Sequence, residues 1–168
     1  MTMKDYRTIV VGTDGSELAE PVVARAAWLA VRDDADLVVV CAFAELSRRT
    51  EAMNVATLGG DTRTGQVLGR EAAAVALDKA MAIARAEGAT VSAALLVDGE
   101  PSKVLIATAE ERAADLVVLG AIHDRSLADR LLGTVATEVT KRASCDVLVV
   151  RPTDDKGDLE VPEDAPQP

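Results

Sequence analysis

The residues whose types and spacing could do chemistry lie in one stretch, DLVVLGAIHDRSLADRLLGTVA, from Asp115 to Ala136. An apolar run, Leu116 to Leu119, ends in Gly120. A polar segment follows, and Gly133-Thr134 then opens a pattern with helical spacing. A strand, a glycine, a loop, a second glycine and a helix together suit an anion such as phosphate. Glycine lets the backbone approach a ligand, and the free N–H groups of a helix start point at negative charge with the helix dipole behind them. His123, the single histidine of the chain, sits inside this stretch. Its imidazole either donates to a phosphate or belongs to an exposed loop without a role. Gly133-Thr134 is either a phosphate cradle or an ordinary helix start capped by Thr134.

A second polar turn, Gly12-Thr13-Asp14-Gly15-Ser16, follows the first apolar run, Thr8 to Val11. Asp14 there either serves a ligand or closes its own turn, and Ser16 is placed to cap the helix that follows. Other chemistries lack residues. There is no GxxxxGK[ST] loop, no GxGxxG fingerprint, no CxxC pair and no Ser/His/Asp or Cys/His arrangement in the sequence. Cys41 and Cys145 stand far apart in apolar surroundings, as small buried hydrophobes of a reducing compartment do. A dedicated enzyme is therefore not expected, and no cofactor is required.

The formal charge of −10 is unevenly spread. From Thr153 to Pro168 six acids face only Lys156, and the rest of the chain is mildly acidic with no basic stripe. That pattern argues against nucleic acid or an anionic membrane as the main partner. The N-terminal MTMKDYRTIVV lacks the apolar centre of a signal peptide, and no apolar run approaches spanning length, so a cytoplasmic protein is expected.

Elements that position these residues follow from apolar periodicity. Leu18, Val22, Ala26 and Leu29 recur at helical spacing after the first turn. Asp36 to Phe43, DLVVVCAF, is a continuous apolar run suited to a strand buried on both faces. Ala44 to Gln66 has no clear period and is expected to be a lid, a binding loop or disordered. Leu68, Ala72, Val75, Ala76, Ala80 and Ile83 predict a helix face that Gly88 terminates. A strand over Thr90 to Val97 then leads through Asp98-Gly99-Glu100 to Pro101 at the first position of a helix burying Val104, Leu105, Thr108 and Ala109. Val135 and Val139 give the last helix its apolar side, and Val147 to Val150 is the final strand.

Five strands alternating with four helices predict an α/β fold: a single doubly wound domain with a five-stranded parallel sheet over residues 1–152, followed by an acidic, Pro-containing disordered tail over 153–168. In such sheets ligands bind beyond the carboxyl ends of the strands. Gly12 to Asp14, Cys41 to Phe43, Val97 to Gly99 and Gly120 occupy those ends.

Over Tyr6 to Pro152 the chain resembles the universal stress protein family of adenine-nucleotide-binding α/β proteins. Nucleotide-binding members carry G-x-x-G, nine residues, then G-[ST]; Gly120, His123, the segment Asp124 to Leu132 and Gly133-Thr134 keep that spacing, with His123 in place of the second glycine. VGTDGS (Val11 to Ser16), GEP (Gly99 to Pro101) and DVLVVRP (Asp146 to Pro152) match as well. The resemblance implies adenine near Gly12, Thr13, Asp14, the backbone of Ala42 and Val97, with sugar and phosphates along Gly120, His123, the loop, Gly133, Thr134 and Val135. The RLLG run, Arg130 to Gly133, is similar to that of mycobacterial members that bind cyclic AMP.

The resemblance thus implies a stress-response sensor or regulator that binds ATP, AMP or cyclic AMP as a ligand. A nucleotide-independent dimeric regulator of the same family is the alternative, and a weak ATPase has the least support. It also implies a homodimer formed through the last strand, Val147 to Val150, whose edge would otherwise stay open.

Overall fold

The sheet is built outward from β2, Asp36–Ala44, in which every residue from Leu37 to Phe43 is buried. A strand can be apolar on both faces only where helices cover both, and such a run pairs on both edges as well. The computed structural model describes residues 5–45, 67–122 and 132–152. On one edge of β2 lies β1 (Thr8–Gly12), in register from Thr8 opposite Asp36 to Gly12 opposite Val40. A two-residue strand, β3 (Val67–Leu68), pairs with Phe43 and Ala44. On the other edge lies β4 (Val91–Asp98). Because Phe43 pairs with Val67 and with Asp98, β3 takes the edge that β1 vacates beyond Gly12. β5 (Leu116–Gly120) pairs with the far side of β1, and β6 (Asp146–Val150) closes the described sheet. All these pairings are parallel. The fold is the expected α/β arrangement, with β3 as a short strand beyond the predicted five.

Alternation along the strands divides the core in two. Ile9, Val11, Val39, Cys41 and Phe43 face α1 (Glu20–Asp33) and α2 (Arg70–Ala86). Val10, Val38, Val40, Val117 and Leu119 face α3 (Pro101–Glu111) and α4 (Thr134–Arg142). Each buried valine or leucine contributes about 1.5–3 kcal/mol of apolar transfer. Pro101 begins α3, where its missing N–H would have had no intrahelical acceptor. Lys141 and Arg142 end α4, beside its negative pole.

The face of α2 differs from its sequence prediction. Leu68 belongs to β3, while Ala72 and Val75 are exposed, Val75 by 66%. The buried face is Ala73, Ala76, Leu77, Ala80 and Ala84. Glu71, Asp78 and Arg85 recur every seven positions and mark the exposed side, on which Val75 falls, whereas the prediction followed the apolar residues alone. Packing selects the side that lets α2 come closest to its neighbours. Cys41 is fully buried as expected, whereas Cys145 is half-buried.

Three aspartates fasten the start of β1 at the amino end of the sheet. Asp115 accepts the Arg7 and Thr8 amides at 3.0–3.1 Å, Asp33 accepts the Tyr6 amide at 3.0 Å, and the Tyr6 hydroxyl donates to Asp146 at 3.1 Å. The tail over 153–168, most of the predicted loop (residues 46–66) and the segment 123–131 lie outside the described residues.

Candidate functional site

At the opposite end of the sheet, β1 and β5 are neighbours whose connections leave in opposite directions. β1 leads through α1 toward β2, and β5 leads through α4 toward β6. A crevice is forced open at such a point, and a cavity of about 100 Å³ occupies it. Gly12, Val40, Ala42 and Leu119 bring the strand ends to it. Pro101, Val104 and Leu105 of α3 form one wall, and Leu18, Ala19 and Val22 another. Val135 and Ala136 come from the first turn of α4, and Thr13, Asp14, Ser16, Gly120, Ala121, Ile122 and Gly133 complete the lining.

The Asp14 turn is held from several directions. The Thr13 amide donates to the Val40 carbonyl at 3.0 Å, which ties the turn to β2. Thr13 Oγ1 accepts the Gly15 amide at 3.1 Å, and Asp14 Oδ1 accepts the Ser16 amide at 2.9 Å. Asp14 therefore does close its turn with one oxygen, while Oδ2 makes no hydrogen bond among the described residues. Gly15 has φ +76°, and a Cβ there would lie 2.7 Å from that of Ala76. Lys79 of α2 reaches the Gly15 carbonyl at 3.4 Å and pairs with Glu20 at 2.6 Å, bracing the same turn from outside. Behind it, burial pushes the Cys41 thiol up to about 12, with the Asp14 charge adding to the shift. Cys41 is thus an inert packing group beside the site.

The two ends of the glycine motif meet. The Gly133 amide donates to the Ala121 carbonyl at 2.7 Å, and the Gly133 carbonyl accepts the Thr137 amide at 3.0 Å. Gly133 is the N-cap of α4, with no side chain to occupy the helix start. The amides of Thr134, Val135 and Ala136 precede the first intrahelical bond and are the donors this end offers. Asp14 is the only ionisable side chain on the cavity wall among the described residues. The arrangement is an apolar slot with a carboxylate acceptor at one side and helix-start donors at the other. It can hold a flat, mostly apolar group and orient its polar edge.

Of the residues singled out in the sequence, Gly12, Thr13, Asp14, Ala42, Gly120, Gly133 and Val135 line this one cavity. Val97 is not on its wall; it pairs with Ala42 from the neighbouring strand. Thr134 is not on that wall; it lines an outer groove with Leu132, Thr137, Glu138, Lys141 and Arg142. His123 and Arg130 lie outside the described residues. Ser16 and the helix residues Val22, Val104 and Leu105 also line the cavity. Their apolar spacing announced helix faces but not which turn of each helix reaches the site. Among the described residues no group of three His, Cys, Asp or Glu could hold a metal ion, and no helix is long and apolar enough to cross a membrane.

Comparison with known proteins agrees with this geometry. The universal stress protein family model matches residues 5–151. Universal stress protein Rv1636 of Mycobacterium tuberculosis is 35% identical over 151 residues, covering 90% of this chain and 100% of the relative. Among solved structures, a universal stress protein in complex with cAMP aligns with a TM-score of 0.63 and 32% identity, over 88% of this chain and 98% of that one. A universal stress protein of Archaeoglobus fulgidus aligns with a TM-score of 0.65 and 28% identity, over 87% and 99%. The matched span takes in the Asp14 turn, the cavity and both ends of the glycine motif, and the chain belongs to the universal stress protein family.

Proposed function

We propose that this chain binds an adenine nucleotide, ATP, AMP or cyclic AMP, between the Asp14 turn and the start of α4, and that it acts as a sensor or regulator in a stress response. One observation carries the reading: the Asp14 turn, Gly120 and Gly133, far apart in sequence, converge on one apolar cavity where β1 and β5 part. In that cavity the base lies between the aliphatic side chains of α1 and α3. The Asp14 carboxylate accepts from the base or sugar, and the α4 amides face the phosphate end. The relative solved with cAMP, 32% identical, supports a ligand of this class.

The chain is read as a binding protein and not as a dedicated catalyst. Asp14 is the only titratable side chain on the described cavity wall, and proton transfer to a reacting group needs a second positioned partner. The same reading places the protein in the cytoplasm as a homodimer joined through β6, whose Val147 to Val150 are half-covered along the outer edge of the described sheet. A nucleotide-independent regulator acting through its surfaces is the competing reading. His123, standing where the motif has glycine, is the residue that favours it.

Thermal unfolding of the full chain with each nucleotide tests the proposal. A ligand bound only by the native state adds about 2.7 kcal/mol at a hundred times its Kd, which raises Tm by roughly 5 °C or more. Saturable stabilisation by at least one of the three nucleotides is expected. No shift with any of them at millimolar concentration would leave the regulator reading.

A further inference from the structure

The outer face of α1 carries a stripe that nothing among the described residues covers. Pro21, Arg25, Trp28 and Arg32 follow one another at helical spacing, and all are exposed. Trp28, the single tryptophan of the chain, leaves 50% of its surface open. Arg32 lies over the ring at 5.4 Å and pairs with Asp33 at 2.7 Å, whereas Arg25 makes no ion pair among the described residues. Neighbouring elements show which way the arginines lean. Glu20 pairs with Lys79, and Val31 is the side chain nearest Gly88 just beyond the end of α2, so that side of α1 faces α2. Val22 approaches Gly120 of β5 on the other side. Around the helix Arg25 falls between Val22 and the outward Trp28, and Arg32 stands in the same relation to Leu29, so both arginines lean toward β5 and β6.

An indole ring between two guanidinium groups suits an acidic segment that contains proline, because apolar and prolyl side chains pack on the ring while carboxylates pair with the arginines. The chain supplies such a segment. After Pro152 it reads TDDKGDLEVPEDAPQP, in which six acids surround Leu159, Val161 and Pro162 against Lys156 alone. This stretch leaves β6 where Val150 pairs with Gly120, which is the side of α1 toward which Arg25 and Arg32 lean. Its sixteen residues can extend over about 50 Å, and the stripe from Pro21 to Arg32 is about 17 Å long. Alone, the segment has too little apolar surface to offset the entropy of ordering, and a surface of opposite charge with an open ring offsets part of it. We propose that the segment Asp154 to Asp164 docks along this stripe, with Leu159, Val161 and Pro162 on the Trp28 ring and the flanking acids paired with Arg25 and Arg32.

The single tryptophan reads this contact without a label. In the full chain, Asp154→Asn, Asp155→Asn, Asp158→Asn and Glu160→Gln together should move Trp28 emission to longer wavelength and raise its quenching by acrylamide, with the far-UV circular dichroism unchanged. Arg25→Gln, at an exposed position with no ion pair to lose among the described residues, should do the same. Combining the two sets should add little, because each removes the same contact. High salt should bring the wild type toward the variants and leave the variants where they are. Equal emission and quenching in all these chains overturns the proposal, and so do effects of the two sets that simply add. Wild-type emission that moves to longer wavelength on dilution also overturns it, since the segment would then be covering Trp28 of another copy.

Discussion

The amide of Gly133 donates to the carbonyl of Ala121 across 2.7 Å, so the connection that leaves β5 returns to it before α4 begins. That bond uses the Gly133 donor internally and leaves the amides that follow it as the donors of this helix start. Gly133 matters here for its missing side chain, because a Cβ would stand 3.3 Å from the Ala121 oxygen.

Gly133→Val is accordingly expected to lower stability by about 1–3 kcal/mol, the usual cost of crowding a packed position, and to weaken nucleotide binding as well. Urea unfolding and ligand titration of the variant measure both. An unchanged midpoint with unchanged affinity would show that the two ends of the motif do not need their close approach.

Gly15→Ala strikes the other side of the cavity. Its φ of +76° is one that side chains resist, and the new methyl would lie 2.7 Å from Ala76 Cβ and 3.0 Å from Ala76 Cα. Loss of about 2–3 kcal/mol is expected, from backbone strain together with overpacking. Ala76→Gly in the same background should recover part of the packing loss but none of the strain. A double variant no more stable than the single one would mean that the contact with α2 is not what confines the turn.

Much of this was legible in the sequence, for identifiable reasons. Leu37 to Phe43 is apolar without interruption, so only a central strand covered on both faces could accommodate it. Val104, Leu105, Thr108 and Ala109 keep a helical period and are all buried. Gly120 and Gly133 follow and precede regular elements, which placed them at a strand end and a helix start. Other features were hidden. Eight alanines in α2 masked the charged side that Glu71, Asp78 and Arg85 mark, and Val75, which lies on it, proved exposed. β3 is two residues long and exists because β1 stops short of Phe43, a tertiary fact with no local signal. Ser16 looked like a cap because its neighbours are those of a cap; only three-dimensional packing shows its hydroxyl unpartnered.

The amino end of the sheet gives a pH signature. A hydrogen bond from the Arg32 guanidinium, and then one from the Tyr6 amide, hold the Asp33 carboxyl below its ordinary value. A depressed carboxyl contributes stability above the pKa it has in the unfolded chain, about 3.9, and gives it up as pH falls through the lower folded value. Asp33→Asn keeps an acceptor for Tyr6 and removes the titration. Its stability should fall less steeply than the wild type below roughly pH 4, as followed by urea unfolding at a series of acid pH values. Parallel profiles would show that Asp33 does not contribute to the acid limb.

The two thiols should react in a fixed order. With Cys41 pushed up to about 12 and fully buried, and Cys145 raised by burial but only half-covered, iodoacetamide at pH 8 should label Cys145 first in the native protein. Cys41 should be labelled only as fast as the protein opens. Mass-resolved peptides from a labelling time course decide it, and early modification of Cys41 would mean that the strand behind Asp14 is accessible in the folded state.

The central claim is that the cavity between β1 and β5 is the nucleotide site, and amide chemical-shift mapping of the labelled chain during titration with AMP or cyclic AMP tests it most directly. Saturable shifts concentrated on Gly12 to Ser16, Gly120 to Ile122 and Gly133 to Ala136 are the predicted result. Shifts that do not saturate, or that gather on another face such as β6 while these amides stay still, would contradict it.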